Sequence, residues 1–189
     1  MACNLTAAIG LNCKDTVGGI KAIYFSDFQV EGYSLMTFVS GVLDGVGVDQ
    51  NAYRYDVQPN TATLVTTVTN EPGGSASYDT ALEVTLNILK QTTSDELQNL
   101  IQTRTFCYVL DANDDVYCLG LQNGCTVTAG TFVTGQARAD LSGYTLTVTC
   151  GESTYPPTIT PSIAADGTDW PFDGVDAGTT TLITPVNPA

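Results

Sequence analysis

The sequence contains no histidine, and only six of its 189 residues are lysine or arginine. Without histidine the commonest general base is missing, and Ser–His–Asp and Cys–His arrangements are excluded. Without clustered Lys and Arg there is no footing for phosphates, so the surface is expected to repel nucleic acid and to avoid an anionic membrane. No stretch approaches 18 consecutive apolar residues, so no membrane-spanning helix is expected. Neither a G-x-G-x-x-G nor a G-x-x-x-x-G-K-[ST] motif occurs, which leaves nucleotide binding unsupported. No CxxC pair occurs either, so no metal or cofactor site is expected. The opening Met1-Ala2-Cys3-Asn4-Leu5 has neither the basic start nor the apolar run of a signal peptide. Synthesis in a cytoplasm is therefore expected, and the sequon Asn4-Leu5-Thr6 reads as chance.

What is present is acid, threonine, valine and glycine. Twenty Asp and Glu face the six bases, a net charge of −14. The excess is spread along the chain, and residues 151–189 hold five acids and no base. Such a charge keeps a protein soluble; it also suits a surface that DNA passes without sticking. A chain of this length fits one domain and can bury roughly 70% of its unfolded surface. The six cysteines, Cys3, Cys13, Cys107, Cys118, Cys125 and Cys150, are even in number. In a cytoplasmic product the last four, in predicted strands or at their ends, are expected as buried thiols behaving as small apolar residues. Later oxidation stays open for a particle that lives outside cells.

The patterning predicts a mainly β fold. Ile20–Ser26 is a short apolar strand. Ser40–Pro59 carries three glycines and no helical period, which predicts a long hairpin or extended loop, with Tyr53 and Tyr55 alternating on a return strand. Ala62–Asn70 and Tyr78–Leu89 alternate with period two and form a hairpin around the turn Glu71–Ser75. One helix follows: Thr93-Ser94-Asp95-Glu96 offers a cap and first-turn acids, Leu97, Leu100 and Ile101 form one stripe, and Arg104 falls in the last turn. Strands are expected at Thr105–Leu110, Val116–Leu121, Cys125–Val133 and Tyr144–Cys150. The loop Asp111-Ala112-Asn113-Asp114-Asp115 superficially matches a calcium loop. Val116 replaces the required glycine and Gln122 the bidentate glutamate, so a hairpin turn is expected. Six of the eight prolines follow residue 152 (Pro156, Pro157, Pro161, Pro171, Pro185, Pro188). Residues 153–189 therefore read as an extended arm on a domain at 1–152, with Thr180–Val186 able to pair as a strand. Trp170 and Phe172 are candidate anchors on a neighbour.

The run from Val68 to Glu152, VTNEPGGSASYDTALEVTLNILKQ through to DLSGYTLTVTCGE, together with GLNCKDTVGGIKAIYF at Gly10–Phe25, resembles the tail tube proteins of tailed bacteriophages, of the type found in Bacteroidetes phages and prophages. The shared features are a strand pair, a short helix, a hairpin with an acidic turn, a glycine-rich passage and D-x-x-G-Y-T-L-T. The resemblance covers about residues 9–152. It implies a β-sandwich or barrel with one short flanking helix. It also implies self-association into hexameric rings that stack into a tube in the virion, with DNA passing through the lumen unbound. Inner sheets of neighbouring subunits would join into a continuous barrel. Residues 40–58 and 153–189 are the candidates to reach the next ring, and Asp79, Glu83 and Asp140 the candidates to face the lumen.

No residue carries a catalytic, cofactor-binding or metal-binding expectation, and the protein is expected not to be an enzyme. The alternatives are a neck, tail-terminator or capsid-decoration protein on a related fold, or an exported β-domain adhesin or surface subunit. An enzyme would need a pocket holding perturbed carboxylates.

Overall fold

The structure, a computed structural model, describes residues 16–70, 73, 76–137, 140–159, 170–172, 175 and 183–188. In chain order the described elements are β1 (Ile20–Asp27), α1 (Gly32–Leu35), β2 (Thr37–Val39), β3 (Val42–Gly45), β4 (Gln50–Asp56), β5 (Ala62–Asn70) and β6 (Ala76–Leu86). They continue with α2 (Gln91–Gln102), β7 (Thr105–Asp111), β8 (Val116–Leu119), β9 (Thr126–Val133), β10 (Gly143–Glu152), β11 (Thr158–Ile159) and β12 (Ile183–Val186). The fold is mainly β with a short helix, as the patterning predicts. Cys3, Cys13, the Asn4 sequon and all of the Glu71–Ser75 turn but Gly73 lie outside the described residues.

The strands form two sheets. Sheet A has eight strands in the order β12-β4-β1-β7-β8-β11-β3-β2, and sheet B four in the order β5-β6-β10-β9. The middle of sheet A is apolar on both faces: Ile23 and Phe25 alternate with Ala22 and Tyr24, and Cys107 and Val109 with Phe106, Tyr108 and Leu110. A strand of this kind must be covered twice. On one side sheet B supplies Leu82, Val84, Leu86, Leu146 and Val148, and α2 adds Leu97 and Leu100. On the other side Leu43, Val46, Ile159, Phe172, Val175 and Ile183 close over Tyr24 and Tyr108. Phe172 meets both tyrosine rings edge-on, at centroid distances of 5.0 and 5.2 Å. Edge-to-face contact is the favoured geometry for such pairs.

Residues 40–58 are not one long hairpin. Ser40 (φ 53°) and Gly41 (φ 87°) make a two-residue turn that folds β2 onto β3. Positive φ at both central positions matches the twist of the flanking strands, which explains the glycine. β3 then pairs in parallel with β11, while β4 leaves it to pair with β1 and β12. Leu43, Val46 and Ala52 are core residues. Tyr53 and Tyr55 do alternate on β4: Tyr53 is exposed, and Tyr55 packs edge-on against Phe25 at 5.1 Å.

Within residues 153–189, expected as an arm, Thr158–Ile159 (β11) and Ile183–Val186 (β12) are strands of sheet A. β11 lies between β8 and β3, tied further by the Cys118 N–H donating to the Pro157 carbonyl at 2.9 Å. β12 pairs with β4. Phe172 anchors on its own chain's tyrosines, and Trp170 packs beside it.

The helix begins two residues before the expected cap. Lys90 is the N-cap, in extended conformation and without a side-chain cap bond. Asp95 instead accepts from Gln91 Nε2 at 2.8 Å, one turn earlier on the helix. Arg104 lies beyond the extended C-cap Thr103, outside the last turn. Leu97 and Leu100 are buried as predicted, but Ile101 is 52% exposed, because the sandwich receives only the face defined by the other two. At Gly143 a Cβ would collide with the Leu86 carbonyl oxygen, so β10 can lie this close to the end of β6 only with glycine there.

The C-terminal segment is therefore structural. Replacing Phe172 with Ala is expected to lower stability by about 3–5 kcal/mol, read from urea unfolding. A chain ending at Glu152 is expected to lose cooperative unfolding altogether. An unchanged midpoint in either variant would contradict this packing.

Candidate assembly surface

Among the described residues, sheet B carries the longest stretches of unfinished strand pairing. Its outer strands, β5 and β9, each pair on one side only among the described residues. β5, ATLVTTVTN, and β9, TVTAGTFV, hold no charged residue and no proline. At nine and eight residues they present edges about 30 Å long, each with about half its backbone N–H and C=O groups pointing outward. Natural edge strands are usually blunted by charge, proline, a bulge or shortness. Sheet A follows that rule: β2 has three residues, and β12 has four, one of them Pro185. Sheet B does not follow it along β5, whose register with β6 is unbroken from Ala62↔Val84 to Asn70↔Ala76. β9 has one register shift, opposite Thr147 and Val148.

The two faces of sheet B differ sharply. Thr80, Leu82, Val84 and Leu86 of β6 are buried toward sheet A, so Asp79, Ala81, Glu83 and Thr85 face away. The registers place Thr63, Val65 and Thr67 of β5, Thr145, Thr147 and Thr149 of β10, and Thr131 of β9 on that same outer face. The result is a threonine surface with two carboxylates and no base. Of the three acids expected at a lumen, Asp79 and Glu83 therefore share a face of one strand. Asp140 does not join them. It sits in the loop before β10, where Oδ2 accepts from the Gln136 and Ala137 N–H groups at 2.9 and 2.7 Å. The bond from Ala137 first, then that from Gln136, holds its carboxyl below the usual range.

Large apolar side chains lie bare along both edges: Val65 is 55% exposed and Phe132 61%. Beside β9 a groove of about 290 Å³ runs along α2, lined by Leu97, Ile101, Val127, Gly130, Phe132 and Leu146.

Other chemistry is sparse. Cys107, Cys118, Cys125 and Cys150 are buried free thiols. Cys125 is hydrogen-bonded between Cys107 and Cys150, and burial alone pushes the Cys118 thiol far above its ordinary range. The Tyr108 hydroxyl, raised mainly by burial, donates to Gln50 Oε1 at 2.7 Å. In the Asp111–Asp115 loop Oδ1 of Asp111 accepts from the Asn113 and Asp115 N–H groups at 2.8 and 2.9 Å, and Lys21 pairs with Asp114. That is an Asx turn closing the β7–β8 hairpin. No group of three or more His, Cys, Asp or Glu among the described residues is arranged to hold a metal ion. No helix among them is long and apolar enough to cross a membrane.

Among the described residues, the fold and the surface thus define a two-sheet β protein with one sheet open at both edges. Neither a family model, nor a curated protein, nor a solved structure matches the chain.

Two buried acids of the core give a pH expectation. An unfolded thiol ionises near about pH 8.5 and a phenol near about pH 10. Cys118 and Tyr108 are held above these values, so the folded state keeps protons that the unfolded state releases. Their stabilisation is complete below about pH 8.5 and is lost as pH rises, at about 1.4 kcal/mol per pH unit for each group past its unfolded pKa. Replacing Cys118 with Ala is expected to flatten the pH 8.5–10 part of that decline in chemical-denaturation experiments. An equal slope in both proteins would contradict it.

Proposed function

We propose that this chain is the subunit of a phage-type tail tube, a virion structural protein with no catalytic task. The observation that carries the reading is the pair of long, uncharged, unpaired edges on a four-stranded sheet whose partner sheet has blunted ones. Every neighbouring pair in sheet B is antiparallel, so β5 and β9 run in opposite directions. Rotation about a common axis preserves strand direction. The β9 edge of one copy therefore meets the β5 edge of the next as an antiparallel pair, and a closed ring of copies leaves no edge.

In such a ring sheet B forms the inner wall and sheet A the outer layer. The threonine face lines the lumen, and each copy adds Asp79 and Glu83 to it. A lumen with acids and no bases repels the DNA backbone and lets it slide. The resemblance of Val68–Glu152 to tail tube proteins supports the same reading. Residues 40–58 and the described part of 153–189 serve the outer layer here, because they complete sheet A.

Negative-stain electron microscopy of the purified chain tests the proposal. Hollow tubes with a regular axial repeat are the expected result; rings that do not stack would favour a terminator or neck role, and particles that never associate would count against it. Lysine at an edge is the standard block to strand pairing. Val65→Lys and Phe132→Lys are each expected to abolish assembly, at a cost to the monomer of no more than about 0.5 kcal/mol at Val65 and about 1 kcal/mol at Phe132, whose ring packs against Tyr144 at 5.5 Å. Tubes from both variants would refute edge pairing. For the lumen, the double variant Asp79→Lys, Glu83→Lys is expected to form tubes that retain DNA in a filter-binding assay at low salt, where wild-type tubes retain none. Equal retention by the two would refute the lumen assignment.

A further inference from the structure

A cavity of about 470 Å³ opens beside the β2–β3 hairpin, between the turn after β8 and the segment that leads into β11. Its walls include Tyr33, Phe38, Tyr155 and Pro156, with Leu119 below and the Glu152 carboxylate at one side. Nothing in the ring reading uses it. We propose that this pocket binds an organic cation: the ammonium or guanidinium head of a basic side chain presented by a partner protein.

The three aromatic rings are exposed and face a common space: Tyr33 is 39% exposed, Phe38 38% and Tyr155 61%. They are held in place before any ligand arrives. Tyr33 and Phe38 pack at 5.9 Å, and Tyr155 stands edge-on to Tyr78 at 4.7 Å. Ring faces attract cations, and a neighbouring carboxylate adds charge recognition. Glu152 is partly buried, and its two oxygens accept from the Gln122 N–H, at 3.2 and 3.3 Å, and from the Asn123 backbone. Among the described residues, no Lys or Arg lines the cavity. The Gln122 side chain is already committed: Nε2 donates to the Tyr33 hydroxyl at 3.2 Å, and Oε1 accepts from Ser153 Oγ at 2.9 Å. That network fixes the Tyr33 ring near the carboxylate, and among the described residues no Lys or Arg pairs with the acid. A basic side chain of a partner supplies the complementary charge to a chain of net charge −14.

Amide chemical shifts of the chain test this with three probes: Nα-acetyl-lysine methylamide, Nα-acetyl-arginine methylamide and, as the uncharged control, Nα-acetyl-norleucine methylamide. Saturable shifts at Tyr33, Gln122 and Tyr155 from at least one basic probe are expected, with the control binding about tenfold more weakly. Glu152→Gln keeps an acceptor for the backbone N–H groups and is expected to weaken the basic probe about tenfold. Tyr155→Leu is expected to weaken it about threefold. Absence of saturable shifts from both basic probes, equal binding of the norleucine probe, or full affinity in Glu152→Gln would overturn the proposal. Should Glu152→Gln fail to fold, unchanged affinity in Tyr155→Leu overturns it equally. Each readout is made on the free chain, so failure here leaves ring assembly untouched, and failure of rings leaves this pocket untouched.

Discussion

The central stretches of β1 and β7, residues 22–26 and 105–110, are buried on both faces. Their side chains alternate between two cores, with Tyr24, Phe106 and Tyr108 on one side and Ile23, Phe25, Cys107 and Val109 on the other. The rest of the fold answers the need to cover both faces. Sheet B and α2 close one core. Residues drawn from opposite ends of the described chain, Leu43 and Val46 together with Ile159, Phe172 and Ile183, close the other. Each covering element brings apolar surface that would otherwise be exposed, so the two cores are coupled through the strands they share.

That division of labour leaves the sheets with different remaining problems. Sheet A, buried on both faces at its middle strands, ends in two strands too short or too proline-bearing to recruit another strand. Sheet B buries one face only and ends in two long strands that, among the described residues, leave about half their backbone groups unpaired. A lone subunit bears this as an association hazard; a ring of subunits removes it. The same arrangement points Asp79 and Glu83 away from the core on the one sheet whose closure would enclose a channel. Edge chemistry and charge placement both fit the proposed ring.

Local patterns in the sequence carried well where a single strand or helix face decided the outcome. β5, β6, β7 and β10 fall where period-two or continuous apolar runs place them, and Leu97 and Leu100 bury as a one-faced helix should. What local pattern left open is pairing between distant residues. Ser40-Gly41 is a tight turn, but β3 is held by β11, more than a hundred residues later, and no local pattern in Ser40–Pro59 reveals that partner. The prolines after Glu152 suggest an arm because proline disfavours central strands. Pro185 fits an edge strand, and Pro156 and Pro157 precede β11 without interrupting it. Ile101 meets the helical period but not the narrow width of the covered face. For the candidate surface, the charge-free runs ATLVTTVTN and TVTAGTFV were visible as strands; that both are edges of one sheet became visible only with the topology. The pocket around Glu152 joins Tyr33, Phe38, Gln122 and Tyr155 from four places in the chain and left no signature in any of them.

The claim on which the functional reading stands is that β5 and β9 complete each other across copies. Hydrogen–deuterium exchange, compared between dissociated subunits and the assembled particle, reads those edges directly. The account predicts new amide protection confined to Ala62–Asn70 and Thr126–Val133, with the edge strands β2 and β12 unchanged. Assembly that protects β2 or β12 while β5 and β9 stay open would contradict it.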